Sequence, residues 1–224
     1  MLIKIRNRIS FYRSIRLFQY LYLNYFCTSV TRSDHSRIIP YKNAVLDLSK
    51  SARIVVKKGD IELGCDLLKG SKAETRVRLR EGAVWNSLGG CKISHGCTLE
   101  ILHNGELNTN YFTMNSNSTI ITAEKITLKD DVMISRNVLI YDSDFHPIMD
   151  AGETVQNPPE PVTIGKHVWI GANSIILKGV TIGRNTVIGA GSLVFSNVKD
   201  NQIYKTERKI ILNDNYGSWR RKVH

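Results

Sequence analysis

From Ile164 to Lys199 the chain repeats an aliphatic position every six residues: IGKHVW IGANSI ILKGVT IGRNTV IGAGSL VFSNVK. The first column of these hexads is Ile164, Ile170, Ile176, Ile182, Ile188 and Val194. The fifth is Val168, Ser174, Val180, Thr186, Ser192 and Val198, all small or β-branched. The fourth is His167, Asn173, Gly179, Asn185, Gly191 and Asn197. Apart from His167, these are residues that tolerate a left-handed backbone at a corner. A period of six matches neither a helical stripe nor plain strand alternation. It predicts short strands separated by tight corners, each with one aliphatic side chain pointing to a shared axis. That is a parallel β-helix.

The columns reappear upstream in LKDDVM ISRNVL IYDSDF, with Leu128, Ile134 and Ile140 in the first position and Val132 and Val138 in the fifth. Residues 141–163 break the period and carry Gly152, Pro147, Pro158, Pro159 and Pro161. They predict a loop leaving the prism, and a long loop on a regular scaffold usually serves function. Residues 50–125 alternate strand and turn signals without strict register and read as irregular N-terminal coils of the same β-helix. The expected fold is all-β: a helical segment over 1–33, a parallel β-helix over 34–200, and a C-terminal extension over 201–224.

In the N-terminal segment Leu2, Ile5, Ile9 and Tyr12 fall on one helical side, with Arg6, Arg13 and Arg16 mostly off it. The apolar run from Leu17 to Val30 includes Gln19 and Asn24 and is too short and polar to span a bilayer. No signal-peptide cleavage pattern follows. Two uses remain open: residues 1–30 pack on the end of the β-helix or on a neighbouring subunit, or they lie against anionic lipid as a peripheral membrane helix. The expected location is cytoplasmic, including the inner face of the membrane.

The net charge of +11 sits largely at the ends. Lys4, Arg6, Arg8, Arg13, Arg16 and Arg32 precede the first acid, Asp34, and Arg220, Arg221 and Lys222 close the chain. The repeat region is near neutral, which argues against a nucleic-acid groove. Cys27, Cys65, Cys91 and Cys97 show no C-x-x-C or metal spacing and read as free thiols.

Candidate chemistry sits at the root of the loop, Asp142-Ser-Asp144-Phe-His146-Pro147. In extended backbone, residues two apart share a side. Asp142, Asp144 and His146 are therefore expected to face one cleft. A carboxylate beside an imidazole fixes its tautomer and raises its basicity, as a general base requires. The same residues also suit a plain turn. A metal site needs a further ligand that the sequence does not offer, so no metal is expected. His167 falls at a corner, and Trp169 should point outward.

The run from Tyr111 to Val198 resembles the hexapeptide-repeat acyltransferases, among them the galactoside and maltose O-acetyltransferases and, more closely, those of capsule and O-antigen. The resemblance rests on Asn115-Ser-Asn117-Ser-Thr119-Ile120, Asp142-Ser-Asp144-Phe-His146-Pro147, Val168-Trp169-Ile170-Gly171-Ala172-Asn173 and Ile188-Gly189-Ala190-Gly191-Ser192. It implies a left-handed prism, a homotrimer with active sites between prisms, and acetyl-CoA as co-substrate. It also implies direct transfer to a sugar hydroxyl of a surface polysaccharide or its precursor, with His146 as base. Asn115 would lie near the acetyl donor, Trp169 would border the cleft, and Gly171-Ala172 and Gly189-Ala190 would line the pantetheine arm. Lys178 precedes a corner glycine, where it would either reach a CoA phosphate or stay solvated. Two alternatives stay open: N-acetylation of an amino sugar, and a non-catalytic scaffold of the same ancestry. A γ-class carbonic anhydrase shares the β-helix, but His95, His103 and His146 lack its spacing. One departure is the ending. The family's G-x-P-A-K segment is missing after the last hexads, and Lys205, Arg208 or Lys209 would have to meet the phosphates instead.

Overall fold

The computed structural model describes residues 12, 14–33 and 35–206. A helix, Leu17–Tyr25, is followed by short strands that pair only in parallel within three sheets of seven, eight and seven strands. The chain visits the sheets in strict rotation, so each is one face of a three-sided prism. The first face runs from Val30–Arg32 to Thr181–Ile182, the second from Ile38–Pro40 to Ile203–Tyr204, and the third from Ala44–Leu48 to Leu193–Val194. This is the architecture of a left-handed parallel β-helix.

The register turns the hexad columns into stacks. Leu128, Ile164 and Ile182 pair in sequence on the first face, Ile134, Ile170 and Ile188 on the second, and Ile140, Ile176 and Val194 on the third. All are fully buried or nearly so. Each aliphatic side chain removed from water contributes about 2 kcal/mol before the cost of ordering the chain. The fifth column is buried beside them, and its hydroxyls donate to backbone carbonyls: Ser174 and Ser192 to Gly189 O, and Thr186 to Lys199 O. The fourth column turns the corners. His167, Asn173, Gly179, Asn185 and Gly191 all have φ between 53° and 72°.

The N-terminal coils are wider. Their strands run to four or five residues with alternating burial, so a face sends three side chains inward instead of two: Thr75, Val77 and Leu79 on one, Ala83, Trp85 and Ser87 on another. Trp85 and Phe112 fill the added space, and the indole N–H of Trp85 donates to Thr109 Oγ1 at 3.1 Å.

The helix closes this end. Leu23 packs on the core, and Asn24 behaves as a strand edge would: its Oδ1 accepts from Ile38 N at 2.9 Å and its Nδ2 donates to Ile38 O at 2.8 Å. The amphipathic face expected over Leu2, Ile5 and Ile9 lies outside the described residues. Strand structure starts at Val30, so the prism begins earlier than residue 34. At the other end Ile203–Tyr204 adds a strand to the second face, and the Tyr204 hydroxyl donates to Leu193 O at 2.9 Å. The prism therefore takes in the first residues of the expected C-terminal extension.

Candidate active site

The loop leaves after Leu139–Tyr141 on the third face and returns at Val162–Ile164 on the first, so it stands on the corner between them. Asp142 does not face solvent with its neighbours. It is fully buried, with Oδ1 accepting from Ala123 N at 2.6 Å and Oδ2 from Glu124 N at 2.9 Å, which caps the corner of the coil below. Burial pushes its carboxyl above the ordinary value, and the two amide donors pull it back.

Asp144 faces the other way. Its Oδ2 lies 2.7 Å from Lys178 Nζ and accepts from Asn157 Nδ2 at 3.0 Å. The Lys178 ammonium, then Asn157, hold its carboxyl below the usual carboxylate range. Lys178 also donates to Pro158 O at 3.0 Å. Lys178, expected at a CoA phosphate, thus clamps both ends of the loop from the next coil. Asn157 completes the clamp: its Nδ2 donates to His146 O at 3.0 Å as well, and its Oδ1 accepts from Ile148 N at 2.6 Å.

His146 follows Phe145, whose φ of 63° is a left-handed conformation that costs a bulky residue about 1–2 kcal/mol. Two contacts hold Phe145 there. Its N–H donates to Ser143 Oγ at 2.9 Å, and its ring meets Tyr141 edge-on at 5.4 Å. His146 lines a pocket of about 150 Å³ with Ser143, Phe145, Pro147, Val155, Asn157 and Pro159. Its backbone N–H donates to Asp144 O at 2.8 Å. Asp144 therefore positions His146 through the backbone and Asn157, while its own carboxylate is taken by Lys178.

The remaining expected residues lie elsewhere on the prism. Trp169 projects half-exposed from the second face, flanked in register by Met133 and Val187, and its indole N–H donates to Ser135 Oγ at 2.9 Å. Beside it His167 Nδ1 pairs with Asp131 Oδ2, and together with Asn185 they border a groove of about 220 Å³. Asn115, Ser135, Gly171 and Gly189 form one column at the edge of the second face, each N–H bonded to the carbonyl one coil on. Ala172 and Ala190 stand beside it at the corner with the third face. Gly171 is required by stacking, because a Cβ there would meet Ala190 N at 2.6 Å. A Cβ at Gly189 would find nothing nearer than Tyr204 O at 3.3 Å, with Lys205 Cβ at 3.4 Å.

One whole face separates the two groups. Six residues at roughly 3 Å each put the corners on the order of 15–20 Å apart. A single chain brings together Asp144, His146, Asn157 and Lys178, and separately Asn115, Trp169, Gly171, Ala172, Gly189 and Ala190. It does not bring one set to the other. Among the described residues no three His, Cys, Asp or Glu side chains form a metal-binding group.

Residues 161–196 match the family model described as bacterial transferase hexapeptide, six repeats. The chain is 34% identical over 96 residues to a polysialic acid O-acetyltransferase of Neisseria meningitidis, covering 40% of this chain and 39% of that protein. It is 44% identical over 67 residues to nodulation protein L of Rhizobium meliloti (strain 1021), covering 30% and 37%. The chain thus spans less than two fifths of the length of either relative in those matches. Among solved structures it is similar to the polySia-specific acetyltransferase NeuO, at 21% identity over 82% of this chain and 92% of that one, with a TM-score of 0.44.

Proposed function

We propose that this hexapeptide-repeat protein is an acetyl-CoA-dependent O-acetyltransferase acting on a sugar hydroxyl of a surface polysaccharide or its precursor. The observation that carries the reading is the loop root. A clamp of Asp144, Asn157 and Lys178 and a strained Phe145 present His146 at the edge of a hexapeptide prism. A polysialic acid O-acetyltransferase among the relatives supports the acceptor class.

In this reading His146 takes the proton of the acceptor hydroxyl as its oxygen attacks the acetyl carbonyl, then returns that proton to the departing thiol. No covalent enzyme intermediate is needed. A positioned general base of this kind contributes roughly 10²–10⁴ in rate. Acetyl-CoA supplies the acetyl group as a thioester. The small residues Ala172, Gly189 and Ala190 suit its narrow pantetheine arm, because nothing bulky rises from that track. With Lys178 held by Asp144 and Pro158 O, the cation for the phosphates becomes Lys205, which adjoins Gly189 at the end of the column.

The separation of the two residue groups supports a homotrimer in which His146 of one copy meets Trp169 and Asn115 of the next. The test is thiol release from acetyl-CoA with paired acceptors, a sugar with hydroxyls only and its amino counterpart. Release with the hydroxyl sugar is expected. Release with the amino sugar alone would make the protein an N-acetyltransferase, and release with neither, over a broad acceptor panel, would refute the enzyme.

A further inference from the structure

The helix Leu17–Tyr25 buries one half of its circumference and leaves the other half bare. At 100° per residue, Gln19, Tyr20, Leu23 and Asn24 occupy the arc that meets the prism, buried or half-buried. The opposite arc holds Leu17, Phe18, Leu21, Tyr22 and Tyr25, with Phe26 directly after the helix. All are exposed, Phe18 to 89% and Phe26 to 73%. No charged or amide side chain interrupts this surface. An apolar helix face is ordinarily buried, and a continuous exposed apolar patch marks a docking site.

We propose that this bare arc docks on an anionic lipid surface, in the plane of the headgroups. Charge selects that occupant. Residues 1–33 carry Lys4, Arg6, Arg8, Arg13, Arg16 and Arg32 and not one Asp or Glu. A second copy docking by this face would set Arg16 and Arg32 of the two copies against each other, whereas a sheet of anionic headgroups neutralises cations of this segment. Composition agrees, because Tyr22 and Tyr25 have an apolar ring and a polar tip, as suits the boundary between acyl chains and headgroups. The Arg32 guanidinium stacks over the Tyr25 ring at 5.4 Å and donates to Asn24 O at 2.6 Å, so a cation is fixed beside the apolar arc. The helix is nine residues long, and no described helix is long and apolar enough to cross a membrane. The association is therefore peripheral, and the apolar arc and the basic segment supply the two signals that stable attachment needs. It would hold an enzyme of the proposed kind beside a lipid-linked acceptor, but it stands independently of that activity.

The test is cosedimentation of the full chain with vesicles of phosphatidylcholine alone and of an equal mixture of phosphatidylcholine and phosphatidylglycerol. Binding to the mixed vesicles only, weakening as ionic strength rises, is expected. Phe18→Ser with Phe26→Ser should lower the partition coefficient by about tenfold. So should Arg6→Glu with Arg8→Glu, by charge alone. Far-UV circular dichroism checks that each variant keeps the wild-type sheet signal. The proposal is overturned if the wild type stays in the supernatant, if it binds both vesicles equally, or if either double variant binds like the wild type. It is also overturned if the phenylalanine variant lowers the oligomer mass while the wild type ignores vesicles, which would assign the face to a second copy.

Discussion

Lys178 Nζ lies 2.7 Å from Asp144 Oδ2, joining the loop root to the next coil of the prism. Asn157 binds the same carboxylate oxygen and His146 O, so the three side chains set where the His146 backbone sits. If that clamp presents the base, Lys178→Ala should leave the fold intact and lower kcat between about tenfold and a hundredfold, because small misplacements of a reacting group are expensive. An unchanged kcat would remove the clamp from the account.

The clamp has a pH signature. Lys178 and Asn157 depress the Asp144 carboxyl, so its folded value lies below the unfolded value of about 3.9. Its contribution is present above the unfolded value and is lost as pH falls through the depressed one. Loop amides should stay protected from hydrogen exchange at neutral pH and open only in acid, below about pH 4. In Lys178→Ala they should already be open at neutral pH. Equal protection in both proteins would contradict this.

Asp142 is expected to act on stability. Its removal takes the acceptor from the N–H groups of Ala123 and Glu124 and leaves its own fully buried position unfilled. Asp142→Ala should lower unfolding free energy by about 2–4 kcal/mol in a denaturant titration. A variant of wild-type stability that has lost turnover would return Asp142 to the chemistry.

Gly171 and Gly189 stand in the same column of the repeat but differ in what lies beyond them. Gly171→Ala drives a Cβ against Ala190 N and Ile188 O, and it should cost about 1–3 kcal/mol of stability. Gly189→Ala has room and should cost under about 1 kcal/mol. Equal thermal shifts for the two would show that the coils do not stack as described.

Much of the scaffold was legible because a six-residue period admits few solutions. The first column became the core, and five of the six fourth-column residues took positive φ. The site was harder to read. Expecting Asp142, Asp144 and His146 on one side assumed extended backbone. Here the chain turns a corner at Asp142 and goes left-handed at Phe145, which breaks the alternation. Lys178 and Asn157 were missed as partners of Asp144 for another reason. The loop between them hides which residues stack in adjacent coils, and only hexad counting across the gap would have placed Lys178 at the same corner. Trp85 lies in a coil whose four- and five-residue strands break the six-residue period, and Phe112 opens a three-residue strand upstream of the regular hexads.

The separation of His146 from Trp169 makes a prediction for mixed oligomers. His146→Ala and Trp169→Ala should each be inactive alone. Coexpressed and copurified in equal amounts, they should recover about a quarter of wild-type activity if every site joins His146 of one copy to Trp169 of another. No recovery would mean that one chain holds both halves.

The most direct measurement is the rate of thiol release from acetyl-CoA by His146→Ala and by the wild type, with a sugar acceptor present and the variant's fold confirmed by circular dichroism. A fall in kcat of about 10²–10⁴ with acetyl-CoA affinity retained is the predicted result. Full activity in that variant would contradict the assignment of His146 as the base.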